Sequence, residues 1–457
     1  MTKRRRGERE VGERVQAADH GDATCGSDDS IGSGTGEHAL AASGWPSARL
    51  ICVFLLLAAA TVASFNWGLY LRQVLRDPNP AIGVPNYDFF QYYVAGHNWR
   101  LGIDPYLDQP TAPGAIQHPM GSRGVVDGYI YPPTWVPAYG ALSRLSYDSA
   151  RAVWLILGVV AFVAAAVVAV TGARGRRLEV ATAVAVLTVA SYPFQYALIQ
   201  GQIDLLVAGL SIAAFLLYPR GRGWPTAALL ALTISAKLTP LLMLAGLIVF
   251  YRDWRLLLKA LVCSVWLFLM SLVWVDVGLY REFGTEVMVR ISDPDPLWNN
   301  QSLIRYFSEA PGLARAITAL GFGGVLLVAY RWGVASDQLA TEARLLPRRG
   351  EHAALLLLAI SAMLVFSPLT WVMAYVWVIV PAALLLVGTR WRGRALPPVT
   401  VAVGVALSQM IPQDDPVLSV LNLAGAVVML AGLILFYTPL STLWTSRSTV
   451  DATGRRG

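Results

Sequence analysis

Few side chains in this chain combine reactivity with an unexpected position, and Asp88 is the foremost. It lies beyond the first apolar run, inside Tyr87-Asp88-Phe89-Phe90-Gln91-Tyr92-Tyr93. A carboxylate held there among aromatic rings, near a membrane surface, could act as a general base and take the proton from an attacking hydroxyl. The same residue also fits an exposed loop carboxylate or a helix N-cap. Lys237 is the second, because Lys237-Leu238-Thr239-Pro240 interrupts an otherwise apolar stretch. Charges at membrane depth are costly and usually paired, so its ammonium either serves a site or pairs with a carboxylate such as Asp204. Arg305, just after Asn300-Gln301-Ser302, is a second basic candidate, with an ordinary loop arginine as the alternative. Gln200, Gln202 and Asn300 suit hydroxyl recognition, although turn and cap roles suit them equally. His118 reads as a surface residue.

The stretch 72–149 is long and aromatic, with Trp99, Asp104-Pro105-Tyr106 and Tyr129-Ile130-Tyr131-Pro132-Pro133 following the Asp88 segment. Long loops of this kind are usually functional. Aromatic rings stack on sugar faces, but they also anchor interfacial helices at headgroup depth. Both readings stand for any single tyrosine here. The segment 134–145 is apolar but too short to span, which suggests a helix lying along the interface. Cys25, Cys52 and Cys263 are too scattered for a disulfide framework or a metal-ligand set. No metal cluster and no Gly-rich phosphate loop is evident, and no cofactor is expected.

The elements that must position these residues are transmembrane helices. Hydrophobic residues make up 55% of the 457 positions and charged ones only 14%, against roughly 25% charged in ordinary soluble proteins. Apolar runs close to the length that crosses a bilayer recur from Leu50 to Tyr437. The net charge of +7 reflects basic residues in short loops, which sets topology rather than pointing to nucleic acid. Residues 1–47 are polar and read as a disordered cytoplasmic tail, not a signal peptide. The body of the protein is expected over 48–440, and 441–457 is a second cytoplasmic tail. Spans are expected near 50–70, 151–171, 178–198, 203–218, 256–274, 312–331, 352–367, 372–388, 397–411 and 417–437. Residues 224–250 read as two short or broken helices with Lys237 at their tip. That makes an all-α polytopic membrane protein with about twelve transmembrane or partial helices. Basic loops at Arg174–Arg177, Arg220–Arg222, Arg344–Arg349 and Arg390–Arg394 fall inside. Both termini are then cytoplasmic, and the loops 72–149 and 276–311 face outward from the plasma membrane.

The order Asp88…Tyr92…Ala95…Gly102…Tyr106, then Tyr131-Pro132-Pro133, Gly201-Gln202, Lys237-Leu238-Thr239-Pro240, Asn300-Gln301-Ser302 and Ser367-Pro368-Leu369-Thr370-Trp371 resembles glycosyltransferase family 87. That family includes polyprenol-phosphate-mannose-dependent mannosyltransferases and a related arabinofuranosyltransferase. The resemblance runs from about residue 50 to 440. It implies a GT-C type helical bundle with an external active-site loop, a polyprenyl-phosphate sugar donor, and an aspartate of the first external loop, here Asp88, as catalytic base. Read with it, Lys237 and Arg305 are the donor phosphate-binding candidates. Tyr92, Tyr106, Tyr131, Gln202, Asn300, Gln301 and Trp371 form the substrate-binding set.

The resulting expectation is transfer of mannose, or of arabinofuranose, onto an envelope glycolipid or polysaccharide by an inverting displacement. One departure bears on the sugar. Many mannose-transferring members carry a histidine pair after the Ser-Pro-x-Ser-Trp motif, whereas Trp371 is followed by Val372-Met373-Ala374-Tyr375. The alternative is a polytopic transporter or a flippase of lipid-linked sugars. Against it, the spans carry few acidic or histidine residues of the kind that relay ions, and no inverted repeat is apparent.

Overall fold

The computed structural model describes Thr61 and residues 87–106, 129–173, 175–292, 300–343, 349–388, 396–410 and 420–435. The expected first span, both tails, His118 and the Asp414-Asp415 turn lie outside these residues. The helices, in chain order, are α1 (Tyr87–Arg100), α2 (Val136–Leu142), α3 (Tyr147–Gly172), α4 (Arg177–Ala190), α5 (Tyr192–Gln200), α6 (Asp204–Leu217), α7 (Gly223–Ala236), α8 (Leu241–Tyr251), α9 (Trp254–Ser271), α10 (Val277–Glu282), α11 (Met288–Ser292), α12 (Pro311–Ala343), α13 (Arg349–Phe366), α14 (Ile379–Gly388), α15 (Leu396–Ser408) and α16 (Leu421–Leu435). Among the described residues there is no strand, only one isolated bridge between Asn300 and Trp371. The fold is an all-helical, membrane-embedded bundle.

Helix ends follow the local sequence. Ser146 caps α3 by accepting from the Ser149 amide, and Asp253 caps α9 by accepting from the amides of Arg255 and Leu256. Each satisfies backbone donors that the first turn of a helix leaves open. Residues 178–198, expected as one span, form α4 and α5, bent by 62°. Ser191 caps the second piece through the Phe194 amide, and Pro193 sits in its first turn. Proline is tolerated there and not one turn later, because it has no N–H to donate back.

Among the described residues, three helices are long and apolar enough to cross a membrane: Tyr147–Gly172, Trp254–Ser271 and Pro311–Ser336; the bent pair would make a fourth. Six shorter apolar helices accompany them, including α7 and α8. These two meet at the break 237–240, as expected for residues 224–250. On α9, Leu258, Leu261, Val262, Val265 and Leu269 are all exposed. Their spacing makes one apolar stripe, a surface suited to lipid rather than water. Trp254 and Trp274 stand exposed at its two ends, as interfacial anchors do.

At the centre lies α6, with Asp204, Leu205, Val207, Ala208 and most of its remaining side chains buried. It crosses α3 closely, since a Cβ on Gly209 would meet the Ala161 carbonyl carbon at 2.4 Å. Between helices in lipid there is no hydrophobic drive, so small residues that let backbones approach supply the packing.

Candidate functional site

Within the region read from sequence as the first large loop, the described residues gather around α1. Gly96 makes this possible: a Cβ there would lie 2.2 Å from the Tyr139 carbonyl carbon, so α1 and α2 touch backbone to backbone. The segment 134–145 therefore packs α2 on protein, burying Val136, Tyr139 and Gly140. The contact places Asp88 in the first turn of α1, where the helix dipole favours a negative charge. It also puts Tyr92, one turn further along, on the same face.

Tyr92 is fully buried in a tyrosine cluster. It stacks on Tyr139 with ring centroids 5.2 Å apart, meets Tyr131 edge-on at 5.2 Å and Trp154 at 5.6 Å. Tyr106 donates its hydroxyl to the Tyr131 carbonyl at 2.8 Å, and Tyr129 donates to the Pro132 carbonyl at 2.9 Å. Both are buried. Tyr92 and Tyr131 thus form a wall beside Asp88, and the Tyr106 ring packs on Tyr129 behind them with centroids 5.4 Å apart.

Gln202 connects this wall to the carboxyl. It follows Gly201, which ends α5 in the left-handed region at φ 65°. A Cβ on Gly201 would meet the Phe89 Cβ at 2.6 Å, so glycine is required both for the turn and for the approach of α1. Trp154 donates its indole N–H to the Gly201 carbonyl at 2.9 Å and pins the turn. The Gln202 Oε1 accepts from the Tyr92 hydroxyl at 2.7 Å, the Ile203 amide at 2.7 Å and the Tyr131 hydroxyl at 3.3 Å. Its Nε2 donates to Asp88 Oδ2 at 3.1 Å.

Asp88 itself keeps part of its surface open. Loss of water around the carboxyl pushes its pKa from 3.8 up to about 7, with the Asp204 charge adding to the rise; Lys237 and the Gln202 hydrogen bond oppose it. Burial likewise pushes the Tyr131 phenol up to about 12, so it remains a protonated donor at neutral pH.

Lys237 stands at the break between α7 and α8. Its Nζ lies 2.9 and 2.8 Å from the two Asp204 oxygens. The Trp377 indole also donates to Asp204 Oδ1 at 2.9 Å. Asp204 is only 1% exposed in this pair, and Lys237 is 16% exposed. The sequence offered Asp204 as a partner for Lys237, and the two are paired.

Asn300, Gln301 and Ser302 form a second polar knot. Asn300 Nδ2 donates to the Pro368 carbonyl at 3.0 Å, and its Oδ1 accepts from the Thr370 amide at 3.0 Å. Gln301 donates its backbone amide to the Thr370 carbonyl at 2.6 Å and accepts the Tyr375 hydroxyl on its own carbonyl at 3.0 Å. Arg305 donates to the Asn300 carbonyl and to the Tyr306 hydroxyl, both at 2.8 Å. The motif at 300–302 and the one at 367–371 are thus one structure, with Trp371 bridged to Asn300 and partly exposed.

Of the residues expected at a site, Asp88, Tyr92, Tyr131 and Gln202 are joined by hydrogen bonds, and Lys237 is close enough for its charge to act on Asp88. Tyr106 lies behind them. Asn300, Gln301, Arg305 and Trp371 form the separate knot. Trp154 and Trp377 were not anticipated; a buried indole needs an acceptor for its N–H, which is the signal that could have flagged them.

No curated protein matches this chain. The family model described as glycosyltransferase family 87 matches residues 129–368, more than half of the chain. The match contains Tyr131, Gln202, Lys237, Asn300, Gln301 and Arg305, and the structure ties Asp88, which precedes it, to Gln202. The chain belongs to glycosyltransferase family 87.

Proposed function

We propose that this glycosyltransferase uses Asp88 as the general base of an inverting transfer from a polyprenyl-phosphate sugar. The observation that carries the reading is the Asp88 carboxyl, partly open, raised to about 7 and held on one oxygen by Gln202. A base with a pKa near the working pH combines a useful ionised fraction with real affinity for the proton. The acceptor hydroxyl oxygen bonds to the anomeric carbon while the bond from that carbon to the phosphate oxygen breaks. The electron pair leaves with the phosphate, and the hydroxyl proton passes to Asp88. The phosphate is already a competent leaving group, so the protein's task is alignment, charge and removal of one proton.

Lys237 supplies the charge. An ammonium has three N–H groups, and Asp204 occupies at most two of them with its two oxygens. One therefore remains for a donor phosphate, with Asp204 and Trp377 holding the amine in place. Arg305 is turned toward Asn300 and Tyr306, which favours Lys237 as the phosphate contact. The catalytic body spans 48–440, lies in the plasma membrane with both termini cytoplasmic, and opens its site outward. There it modifies an envelope glycolipid or polysaccharide. Mannose is the first choice of sugar, and arabinofuranose stays open because Val372-Met373-Ala374-Tyr375, after Trp371, holds no histidine.

The test is transfer by purified protein in detergent, with radiolabelled polyprenyl-phosphate mannose and polyprenyl-phosphate arabinofuranose offered in parallel. Label appearing in a glycolipid acceptor from one of them supports the reading. Label from neither, alongside transport of the intact lipid-linked sugar in vesicles, overturns it.

A further inference from the structure

Gln202 is suited by residue type to recognise a sugar hydroxyl, but its surroundings give its amide another task. The Ile203 backbone N–H can only donate, and it lies 2.7 Å from one end of the Gln202 amide. That end must be the oxygen. The Tyr92 hydroxyl, 2.7 Å away, agrees with this assignment. The amide nitrogen is therefore forced toward Asp88 Oδ2, 3.1 Å away. Gln202 is itself buried, at 3% exposure, so the arrangement is not loosened by water. Among the described residues, Gln202 is the one hydrogen-bond partner of the Asp88 carboxyl, and it holds Oδ2 while leaving Oδ1 open.

We infer that Gln202 is a positioning residue: it selects which Asp88 oxygen receives the acceptor proton and keeps that carboxyl ionisable. The inference rests on the reading of Asp88 as the base. A neutral donor facing a carboxylate stabilises its charged form. Losing that donor raises the pKa of Asp88 further, and an enzyme that needs the ionised base then loses activity at a higher pH than before. With the carboxyl kept as dry as before, loss of the donor moves the acid limb of the rate profile up.

The experiment compares wild type, Gln202→Glu, Gln202→Ala and Asp88→Asn in full-length protein, measuring kcat/KM against pH with a polyprenyl-phosphate sugar. The donor is a phosphodiester without a second ionisation, so a limb near neutrality belongs to the enzyme. Glutamate at 202 can still accept from Ile203 and Tyr92, which keeps the tyrosine wall intact, but it faces Asp88 with a like charge. The expected result is an acid limb displaced upward by about one pH unit or more in Gln202→Glu, with a donor KM within about threefold of wild type at high pH. Gln202→Ala should move it in the same direction. A limb that stays in place while KM rises means that Gln202 binds sugar, and the inference is overturned with the base reading intact. An active Asp88→Asn removes the base reading, and the inference with it.

Discussion

Removing the Lys237 ammonium should destabilise the protein before it says anything about catalysis. Asp204 is almost fully enclosed, and its carboxylate accepts from Lys237 through both oxygens and from the Trp377 indole through one. Lys237→Met leaves that charge with one neutral donor. Stranding a buried charge in this way costs about 3–5 kcal/mol, a large part of the ~5–15 kcal/mol that typically separates folded from unfolded. Asp204→Asn should cost less, because the amide oxygen can still accept from Trp377 and the lysine keeps an exposed edge. The double variant Lys237→Met/Asp204→Asn removes both charges and should recover most of the loss. The assay is the fraction of protein remaining monodisperse in detergent after heating, taken over a temperature series for all four proteins. A double variant as unstable as Lys237→Met, or a Lys237→Met as stable as wild type, would refute the reasoning. Transfer by the recovered double variant, compared with Asp204→Asn alone, then reports the role of the amine, with an expected loss of about ten- to hundred-fold at limiting donor.

Two further outcomes are expected. Gly201→Ala forces a side chain into the left-handed region, at about 1–2 kcal/mol, and against Phe89 beside Asp88. Transfer should fall by about 10–100-fold through misplacement of the base while folded protein remains, and full activity would contradict the tight approach of α1. For topology, a cysteine at Gly124 should label from outside intact cells and one at Gly175 should not; equal labelling would reverse the orientation and with it the outward site.

Much of the architecture was legible because lipid imposes a strong pattern. The two short helices around Lys237 follow from a run too long for one span and too short for two. Pairing of Lys237 with Asp204 was one of two solutions open to a charge at that depth. The bend at Ser191 was not read, although Pro193 marks it, because apolarity continues across the break and hydropathy does not register direction. The tyrosines were legible as a cluster of unusual composition but not as a wall: only the close approach of α1 and α2 at Gly96 turns their rings toward one another. The union of 300–302 with 367–371 joins residues far apart in sequence through hydrogen bonds to the backbone, which residue type does not encode. The same holds for Trp377, whose indole finds Asp204 from another helical segment.

The most direct measurement is transfer by Asp88→Asn, with protein level and donor binding followed in the same preparation. The amide keeps the shape of the carboxyl and can still accept from Gln202, but it cannot take the acceptor proton. Loss of a general base costs about 10²–10⁴-fold in rate, so the expected result is that loss with donor binding nearly unchanged. Asp104→Asn serves as the control, since the Asp104 Oδ1 accepts from the Tyr106 amide in a local turn, which an asparagine can reproduce. Asp88→Asn retaining more than about a tenth of wild-type transfer, at normal protein level, would contradict the assignment of Asp88 as the base.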